Sequence, residues 1–377
     1  MRTLTIDSSS PFRRLIGIGG VGTGVFFNLE GNHTLGRNES RSGKLLDVRD
    51  YCKLHIVIHY IAKLLGSGMG ENGFKIFPVA KVGDDAAGHF VIREMQQVGI
   101  ETGLIALVAG KPTLFSVCFQ YPDGAGGNIT TNNSAAAELA ESDIDRIKPL
   151  LEAEPGRTIA LSVPEVPLAV RRHFLEVGSR AGAFRAGSFL SAEIAAAKEL
   201  EMFKLLDLVA LNESEASELL GCEFDISRSE SFVDRCLSFV NQDSPGIRLI
   251  VSLGARGVLG FSKDGWSLYP APEVSVASTA GAGDALLGGV IAGIAAGIPF
   301  LSGDRPGPKV RGESVQSALE VGMVLASHTV TSPHTIHPSA CLDSLITFLA
   351  ELGVRFDPAI EQLITRPCAN QEFTGVG

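Results

Sequence analysis

The most informative segment of the sequence is Ser278-Thr279-Ala280-Gly281-Ala282-Gly283-Asp284, and an uncharged run from Ala285 to Gly297 follows it directly. Small residues let the backbone turn sharply and approach a ligand closely. The run predicts a buried helix, whose free N–H groups and positive dipole end form an anion site beside Asp284. An anion site beside one carboxylate is typical of phosphoryl transfer, in which the acid accepts the proton of the attacking hydroxyl. An ordinary glycine-rich turn capped by aspartate is the alternative.

Strands and helices alternate along most of the chain. A first buried strand covers residues 14–19, and the alternation becomes regular from residue 143 onward. This pattern predicts an α/β fold with a doubly wound, mostly parallel sheet that helices cover on both faces. Residues 20–49 and 111–133 lack helical periodicity and predict short strands instead. We expect one domain over residues 1–356 and a C-terminal tail over 357–377 with little regular structure.

Four individual elements of this prediction test it most directly. The spacing predicts a helix over residues 193–204 and a hairpin from strands at 258–261 and 266–269. Residues 303–308 predict a loop, and a further helix is predicted near residues 312–330.

Polar residues follow the buried strand at residues 208–211, where Asn212 and Glu215 open a helix. Ligands bind at the carboxyl ends of strands in such sheets, and a step of three residues places both side chains on one helical face. These positions therefore predict a ligand site at the end of this strand. The alternative is a helix N-cap at Asn212 followed by acids in the first turn.

The segment Gly17–Gly22 fits the G-x-G-x-x-G pattern of dinucleotide-binding proteins. Its context argues against that function, since no helix follows Gly22 and no acidic residue ends a second strand at the required distance. We therefore expect these glycines to line the pocket of the phosphoryl acceptor instead.

Four motifs of this chain resemble, in order, those of the ribokinase-like (PfkB) carbohydrate kinases. The heptad at 278–284 is similar to the family signature, which usually reads Asp-Thr-Thr-Gly-Ala-Gly-Asp. Residues 212–215 resemble its Asn-x-x-Glu element, 252–257 its nucleotide loop, and 80–88 its Val-Gly-Asp-Asp-x-x-Gly segment. The resemblance extends over roughly residues 14–350. Ser278 stands where the family commonly has an aspartate that helps to bind a monovalent cation.

The resemblance implies a kinase that uses ATP and Mg2+, with Asp284 as the catalytic base. The amides that it implies for the transferring phosphoryl group are those of Gly281, Ala282 and Gly283. The residues that it implies for the nucleotide and its metal are Asn212, Glu215, Ser252, Gly254 and Gly257, with Glu215 as the metal-binding residue. It also implies that the two non-helical stretches, 20–49 and 111–133, form a small β lid over the acceptor.

The acceptor side departs most from the family pattern. Sugar kinases of the family usually carry an aspartate soon after the first strand, and this chain offers Thr23 and Asn28 instead. The expected acceptor-binding residues are Gly20, Gly22, Thr23, Asn28, Arg41 and Lys44. A sugar or related small polyol, phosphorylated on a hydroxymethyl group, is the leading hypothesis for the acceptor.

Two alternatives to a sugar kinase stay open. A nucleoside kinase of the same fold would need an aromatic stacking surface in the lid, for which the candidates are Phe26, Phe27, Phe115 and Phe119. A non-catalytic regulator that binds a sugar or a nucleotide is the other alternative.

Composition excludes several other classes of protein. The 377 residues carry a formal net charge of −10 with no basic cluster, so nucleic acid is not an expected partner. Six scattered cysteines without a C-x-x-C pair argue against a zinc site or a disulfide framework and fit a reducing cytoplasm. The apolar run at 285–297 is too short to span a bilayer, so no membrane association is expected. Lids of this kind can pair across a two-fold axis, which makes a homodimer one assembly open to the chain.

Overall fold

A computed structural model describes residues 2–6, 10–68, 73–123, 126–224, 229–302 and 314–365, and the structural statements below concern those residues. Two β-sheets and the helices around them account for most of this part of the chain. The strands of the larger sheet are β1 (Arg14–Ile18), β4 (Lys75–Gly83), β5 (Ile105–Val108), β8 (Thr158–Ser162), β9 (Phe184–Ser188), β10 (Leu208–Asn212), β11 (Arg248–Ser252), β12 (Val258–Ser262) and β13 (Gly265–Tyr269).

The nine strands of the larger sheet lie in the order β13-β12-β11-β10-β9-β8-β1-β4-β5. All neighbours pair in parallel except β11 with β12 and β12 with β13, which form an antiparallel hairpin at one edge. The expected fold class, a doubly wound and mostly parallel α/β sheet, is confirmed. The carboxyl ends of β1, β8, β10 and β11 therefore meet along one edge of the sheet, where ligands bind in such folds.

Helices cover both faces of the larger sheet. Those that share a core on one face are α1 (Lys53–Leu65), α2 (Ala86–Gln97), α8 (Ala282–Ala295), α9 (Ala318–Thr329) and α10 (Leu342–Glu351). Those that pack on the other face are α3 (Glu141–Glu152), α4 (Leu168–Arg180), α5 (Ile194–Glu199), α6 (Glu213–Leu220) and α7 (Ser229–Ser238). A last short helix, α11, covers Pro358–Glu361.

Helix α8 packs very closely against α1 and α9. A Cβ atom placed on Gly289 would lie 2.7 Å from the Cα atom of Gly322 in α9. A Cβ atom placed on Gly288 would lie 2.9 Å from the carbonyl oxygen of Val57 in α1. The small residues after the signature therefore allow two neighbouring backbones to approach α8, which fixes the position of its first turn.

The smaller sheet, called the lid sheet here, lies outside the main layers. Its strands, in the order β3-β2-β6-β7, are β2 (Gly22–Leu29), β3 (Gly43–Tyr51), β6 (Leu114–Gln120) and β7 (Gly126–Thr130). All four come from the two stretches in which the sequence predicted short strands, apart from the last residues of β3. Strand β2 pairs with β3 in antiparallel and with β6 in parallel orientation. A two-stranded pair of β14 (Ser314–Val315) and β15 (Arg355–Phe356) completes the described strands.

One predicted element was wrong in detail, and one strand of the larger sheet was missed. The single helix expected over 193–204 is a 3-10 turn at Ser191–Glu193, helix α5, and a second 3-10 turn at Met202–Leu205. Glu201 interrupts the helix because its backbone has a left-handed φ of 53°. Strand β5 was missed, since its four partly exposed residues carry a weak pattern.

The C-terminal third follows the prediction more loosely. The expected helix near 312–330 begins only at Ala318, where the Ser317 side chain caps the amide of Glu320. Residues 357–365 were expected to lack regular structure, but they contain α11 and a bridge between Leu4 and Ile364. The loop predicted at 303–308 lies outside the described residues. Within the described ranges, we find no helix with the length and hydropathy needed to cross a membrane.

Two buried histidines in α1 predict that acid destabilises the fold. Neither ring nitrogen of His55 has a hydrogen-bond partner, and burial lowers its pKa well below 6.5. Burial and the nearby Lys63 charge lower the pKa of His59 to about 3. Since the unfolded chain binds a proton near pH 6.5 and the folded chain does not, the free energy of unfolding falls as the pH drops below 6.5. Each such histidine contributes up to about 1.4 kcal/mol per pH unit.

We expect His55→Leu to reduce this pH dependence between pH 5 and 6.5, as measured by urea unfolding at a series of pH values. His33→Leu is the matched control, because the His33 side chain is 70% exposed. An unchanged slope in the His55 variant would contradict this account of the acid sensitivity.

Candidate active site

Two cavities meet at the first turn of α8. The small cavity has a volume of about 350 Å3 and lies between the lid sheet and the ends of the central strands. The large cavity has a volume of about 1050 Å3 and extends over the ends of β10 and β11. The side chains and backbone that line both cavities belong to Lys53, Thr279, Gly281 and Asp284. A group in either cavity can therefore reach the signature.

The backbone at Gly281 shapes the start of α8. Gly281 has a left-handed φ of 80°, and a Cβ atom there would lie 2.4 Å from the carbonyl oxygen of Thr335. No side chain caps the helix at this residue. Gly281, Ala282 and Gly283 all line the large cavity, although the Ala282 amide also contacts the Thr279 carbonyl oxygen at 3.3 Å. The helix start thus presents backbone amides, rather than a capping side chain, to the large cavity.

Asp284 lies in the first turn of α8 and is only 9% exposed. Burial raises the pKa of its carboxyl above the ordinary value. The Nζ atom of Lys53 lies 3.7 Å from Asp284 Oδ1, and its charge opposes that increase in pKa. The pKa of Lys53 itself is raised, mainly by the charge of Asp284. A carboxylate whose pKa is raised and which faces both cavities has the properties of a general base.

Lys53 was not predicted as a site residue. It is the first residue of α1, its side chain is 31% exposed, and its charge also lowers the pKa values of Glu165 and Glu215. No local motif marks it, because its contact with Asp284 joins residues that are far apart in the sequence.

Glu165 is a second residue that the sequence analysis missed. It follows the end of β8, and its Oε2 atom accepts a hydrogen bond of 3.0 Å from the Lys53 backbone N–H. Burial raises the pKa of Glu165 to about 7. Its backbone has a left-handed φ of 77°, a strained conformation of the kind found at functional sites. Its place just after a buried strand was a signal that could have identified it.

The structure brings Asn212 and Glu215 to the wall of the large cavity. The two residues also form a capping box: Asn212 Oδ1 accepts from the Glu215 amide at 2.9 Å, and Glu215 Oε2 accepts from the Asn212 amide at 2.8 Å. The N-cap considered as an alternative is therefore present, at two residues that also line the cavity. Burial raises the pKa of Glu215.

The loop after β11 lies beside this helix start. Asn212 and Ser252 are register partners at the ends of β10 and β11, and Ser252, Gly254 and Gly257 line the large cavity. A Cβ atom on Gly257, where φ is 103°, would lie 2.0 Å from the carbonyl oxygen of Tyr269. The apolar residues that line the same cavity include Ala271, Pro272, Val274, Val276, Met323, Ala326 and Val330. The cavity therefore combines an apolar wall with polar strand ends.

The carboxylates that line the large cavity suit Mg2+. Burial raises the pKa values of both Glu215 and Asp284, so both carboxylates lack full compensation for their charge. Among the residues that the structure describes, no cluster of three or more His, Cys, Asp or Glu side chains could hold a metal alone. Mg2+ typically binds through one or two carboxylates, with waters and substrate phosphates as its other ligands. Glu215, beside Asn212, fits that mode of binding.

The six residues expected to bind the acceptor line neither cavity. Gly20 and Gly22 allow close approach instead, since Cβ atoms there would lie 2.2 Å from Glu165 Oε2 and 2.0 Å from the Leu114 carbonyl oxygen. Arg41 pairs with Glu39 at 2.7 Å. Thr23, Asn28 and Lys44 lie on β2 and β3 of the lid sheet. Their role in acceptor binding stays a prediction.

Other side chains line the small cavity. The polar ones are Asp50, Lys53, Ser116, Cys118, Gln120, Asn128, Glu165, Asp284 and residues of the loops at Thr279 and Thr335. Of the four aromatic candidates for a stacking surface, Phe26 and Phe119 line this cavity, and Phe27 and Phe115 do not.

Comparisons with known proteins agree with this architecture. The profile of the pfkB family carbohydrate kinases matches residues 58–340. Ribokinase of Dictyostelium discoideum is 24% identical over 220 residues, which cover 56% of this chain and 68% of that protein. Deoxyribokinase of Salmonella typhi is 28% identical over 221 residues, which cover 57% of this chain and 67% of that protein.

Solved structures show the same fold. Ribokinase of Cryptococcus neoformans, in complex with ADP, superposes with a TM-score of 0.69 at 21% identity and covers 88% of this chain and 98% of its own. A nucleoside kinase of Burkholderia thailandensis, in complex with inosine, superposes with a TM-score of 0.65 at 15% identity and covers 90% and 99%. Since the family profile matches well over half of the chain, this protein belongs to the pfkB family of carbohydrate kinases.

Proposed function

We propose that this kinase transfers the γ-phosphoryl group of ATP to a hydroxymethyl group of a sugar or a related small polyol. The observation that carries the proposal is that the small and large cavities meet at Asp284, beside the amides that begin α8. This arrangement allows an acceptor hydroxyl and a nucleotide phosphate to reach one carboxylate from opposite sides. Proximity of this kind supplies a large part of the rate enhancement in phosphoryl transfer.

The large cavity suits the nucleotide. Its apolar wall, which includes Val274, Met323 and Val330, can accept an adenine base, and the Ser252–Gly257 loop can contact ribose or phosphate. The phosphate tail would then extend toward the amides of Gly281, Ala282 and Gly283. Ribokinase of Cryptococcus neoformans, a structural neighbour, was solved with ADP, which supports ATP as the phosphoryl donor.

The chain's own residues supply the proton transfer and the charge stabilisation. Asp284 accepts the proton of the hydroxyl in the small cavity while that oxygen attacks the γ-phosphorus of ATP, and the bond from this phosphorus to the bridging oxygen breaks so that ADP leaves. The α8 amides and the Lys53 ammonium stabilise the charge on the transferring phosphoryl group. Glu215 and Asn212 would hold Mg2+, which supplies neutralisation of phosphate charge when bound.

The direct test is ADP release from ATP and Mg2+ with D-ribose, 2-deoxy-D-ribose, D-fructose and inosine as acceptors. We expect turnover with a sugar, and we expect Asp284→Asn to lower kcat by about a hundred- to ten-thousand-fold, because the amide cannot accept the proton. Asp264→Asn, in the exposed hairpin turn between β12 and β13, is the matched control and should keep full activity. Turnover near the wild-type rate in the Asp284 variant would reject the mechanism.

A second prediction concerns Lys53. Because its charge lowers the pKa of Asp284, Lys53→Met should raise that pKa further and move the acidic limb of the kcat–pH profile to higher pH. Loss of one charge-stabilising group should also lower kcat by about a hundredfold. Lys53→Arg should restore much of the rate, and Lys75→Met, on an exposed residue at the opposite end of the sheet, serves as the control. An acidic limb that stays in place in Lys53→Met would show that the pair has no role in tuning the base.

A nucleoside kinase is the second candidate function. Phe26 lines the small cavity, on the same face of the lid sheet as Ser116 and Cys118, and could stack on a base. A nucleoside kinase with bound inosine is among the structural neighbours. The same acceptor panel separates the two functions, since inosine would then be turned over in preference to the free sugars. A non-catalytic regulator would show stabilisation by these ligands without release of ADP.

We also propose that the protein forms a homodimer through the lid sheet. Leu45, Phe115 and Ile129 lie on β3, β6 and β7 of this sheet and are 57%, 37% and 65% exposed. Phe115 alternates with Ser116, whose side chain faces the small cavity, so these apolar residues belong to the opposite face. Sedimentation equilibrium should give twice the chain mass, and Ile129→Glu should reduce it to one. Leu107→Glu, on an exposed residue of β5, is the control; a monomeric wild type would contradict the proposal.

A further inference from the structure

Gly24 on β2 has no side chain, and side chains from both neighbouring strands meet above its backbone. In the lid sheet, Gly24 is the register partner of Asp50 on β3 and of Ser116 on β6. A Cβ atom on Gly24 would lie 2.1 Å from Asp50 Oδ2 and 2.2 Å from Ser116 Oγ. The Ser116 hydroxyl donates a hydrogen bond of 2.6 Å to Asp50 Oδ2 across the gap. Glycine at this position therefore allows a carboxylate from β3 to reach over the central strand.

This carboxylate belongs to the wall of the small cavity. Asp50 is only 4% exposed, and it lines the cavity together with Ser116 and Cys118. The Cys118 thiol contacts Asp50 Oδ2 at 3.5 Å, and burial raises the pKa of Asp50 despite these donors. Burying a carboxylate at the wall of a cavity is costly, and a purely structural link between strands would not need a charged group.

Three carboxylates face the same small cavity. Asp50, Glu165 and Asp284 all line it, and the Asp50 and Asp284 charges both raise the pKa of Glu165. Among the described residues of the cavity wall, Lys53 is the one cationic side chain, and it lies 3.7 Å from Asp284. The remaining polar groups, including Gln120 and Asn128, are neutral. The field in the cavity therefore attracts hydrogen-bond donors and repels anions.

We propose that Asp50 is an acceptor-binding residue that accepts hydrogen bonds from acceptor hydroxyls, and that the small cavity selects uncharged polyhydroxy acceptors against those carrying a phosphate or a carboxylate. This inference rests on the kinase function proposed above. The carboxylate reaches the acceptor from β3 because Gly24 leaves the space above β2 free. Ser116 and Cys118 hold it in place without neutralising its charge.

The test compares matched neutral and anionic acceptors that each keep a free hydroxymethyl group. The probes are D-ribose with D-ribonate, and D-fructose with both D-fructose 1-phosphate and D-fructose 6-phosphate, so that each hydroxymethyl group of fructose stays free in one of the two phosphates. ATP and Mg2+ are saturating. We expect the wild-type enzyme to show a kcat/KM at least a hundredfold higher for the neutral member of the pair that it uses. This measurement needs no variant, so it stays decisive even if substitutions at residue 50 impair folding.

The isosteric variant Asp50→Asn tests the residue itself. We expect at least a tenfold increase in the KM for the neutral acceptor, little change in the KM for ATP, and a smaller difference between neutral and anionic acceptors. Asp47→Asn is the matched control, because Asp47 is an exposed aspartate on the same strand and does not line the cavity. A structural role alone would alter the melting temperature and leave the discrimination by charge as it is.

The possible results separate the two proposals. Equal or better use of the anionic acceptors, or an unchanged acceptor KM in Asp50→Asn, would overturn this inference while the kinase function stands. Absence of ADP release with every neutral and anionic acceptor would reject the proposed function and this inference with it. A loss of discrimination confined to the Asp50 variant would support both.

Discussion

The contact between the Lys53 ammonium and the Asp284 carboxylate joins the two helices on which the site depends. Lys53 begins α1 and Asp284 lies in the first turn of α8, so each residue sits at the N-terminal end of its helix. One turn further along, Gly288 approaches the backbone of Val57 so closely that a Cβ atom would lie 2.9 Å from its carbonyl oxygen. The close packing of the two helices therefore sets the separation of the two charges. The small residues after the signature therefore allow the two helices to approach closely, in addition to being buried in the core.

The same pair explains the electrostatic character of the site. Burial raises the pKa values of Glu165, Glu215 and Asp284, and Lys53 lowers all three. One ammonium cannot compensate three carboxylates, so the site keeps an excess of negative charge. That excess favours a bound divalent cation and leaves Asp284 with a raised affinity for a proton. Both consequences suit a kinase that takes a proton from an alcohol.

The sequence predicted those parts of the site whose residues lie close together in the chain. Asn212, Glu215, Ser252 and the signature each follow a buried strand or begin a helix, and each motif contains its own geometric context. The parallel sheet then brings these ends together, as the strand pattern indicated. The sequence analysis missed Lys53 and Glu165 because their contacts join segments that are distant in the chain, although the place of Glu165 after β8 offered a signal. The fold class could be predicted with the same local information, but the interruption at Glu201 could not, since a left-handed residue other than glycine leaves little trace in the periodicity.

The lid sheet shows that strand register is the hardest part of the site to predict from the sequence. Side chains alternate between the faces of a sheet, so a shift of one residue exchanges the cavity face for the outer face. On β6, Ser116 and Cys118 face the cavity while Phe115 lies on the exposed side, and no helical motif fixes that choice in advance. Gly24 adds a second difficulty, because the residue that shapes the wall is the one without a side chain. Gly24 affects the cavity wall only because β2 pairs with both β3 and β6, which places Asp50 and Ser116 in register on either side of it. The character of the small cavity is therefore a property of three paired strands together, and it follows from pairing that no single segment encodes.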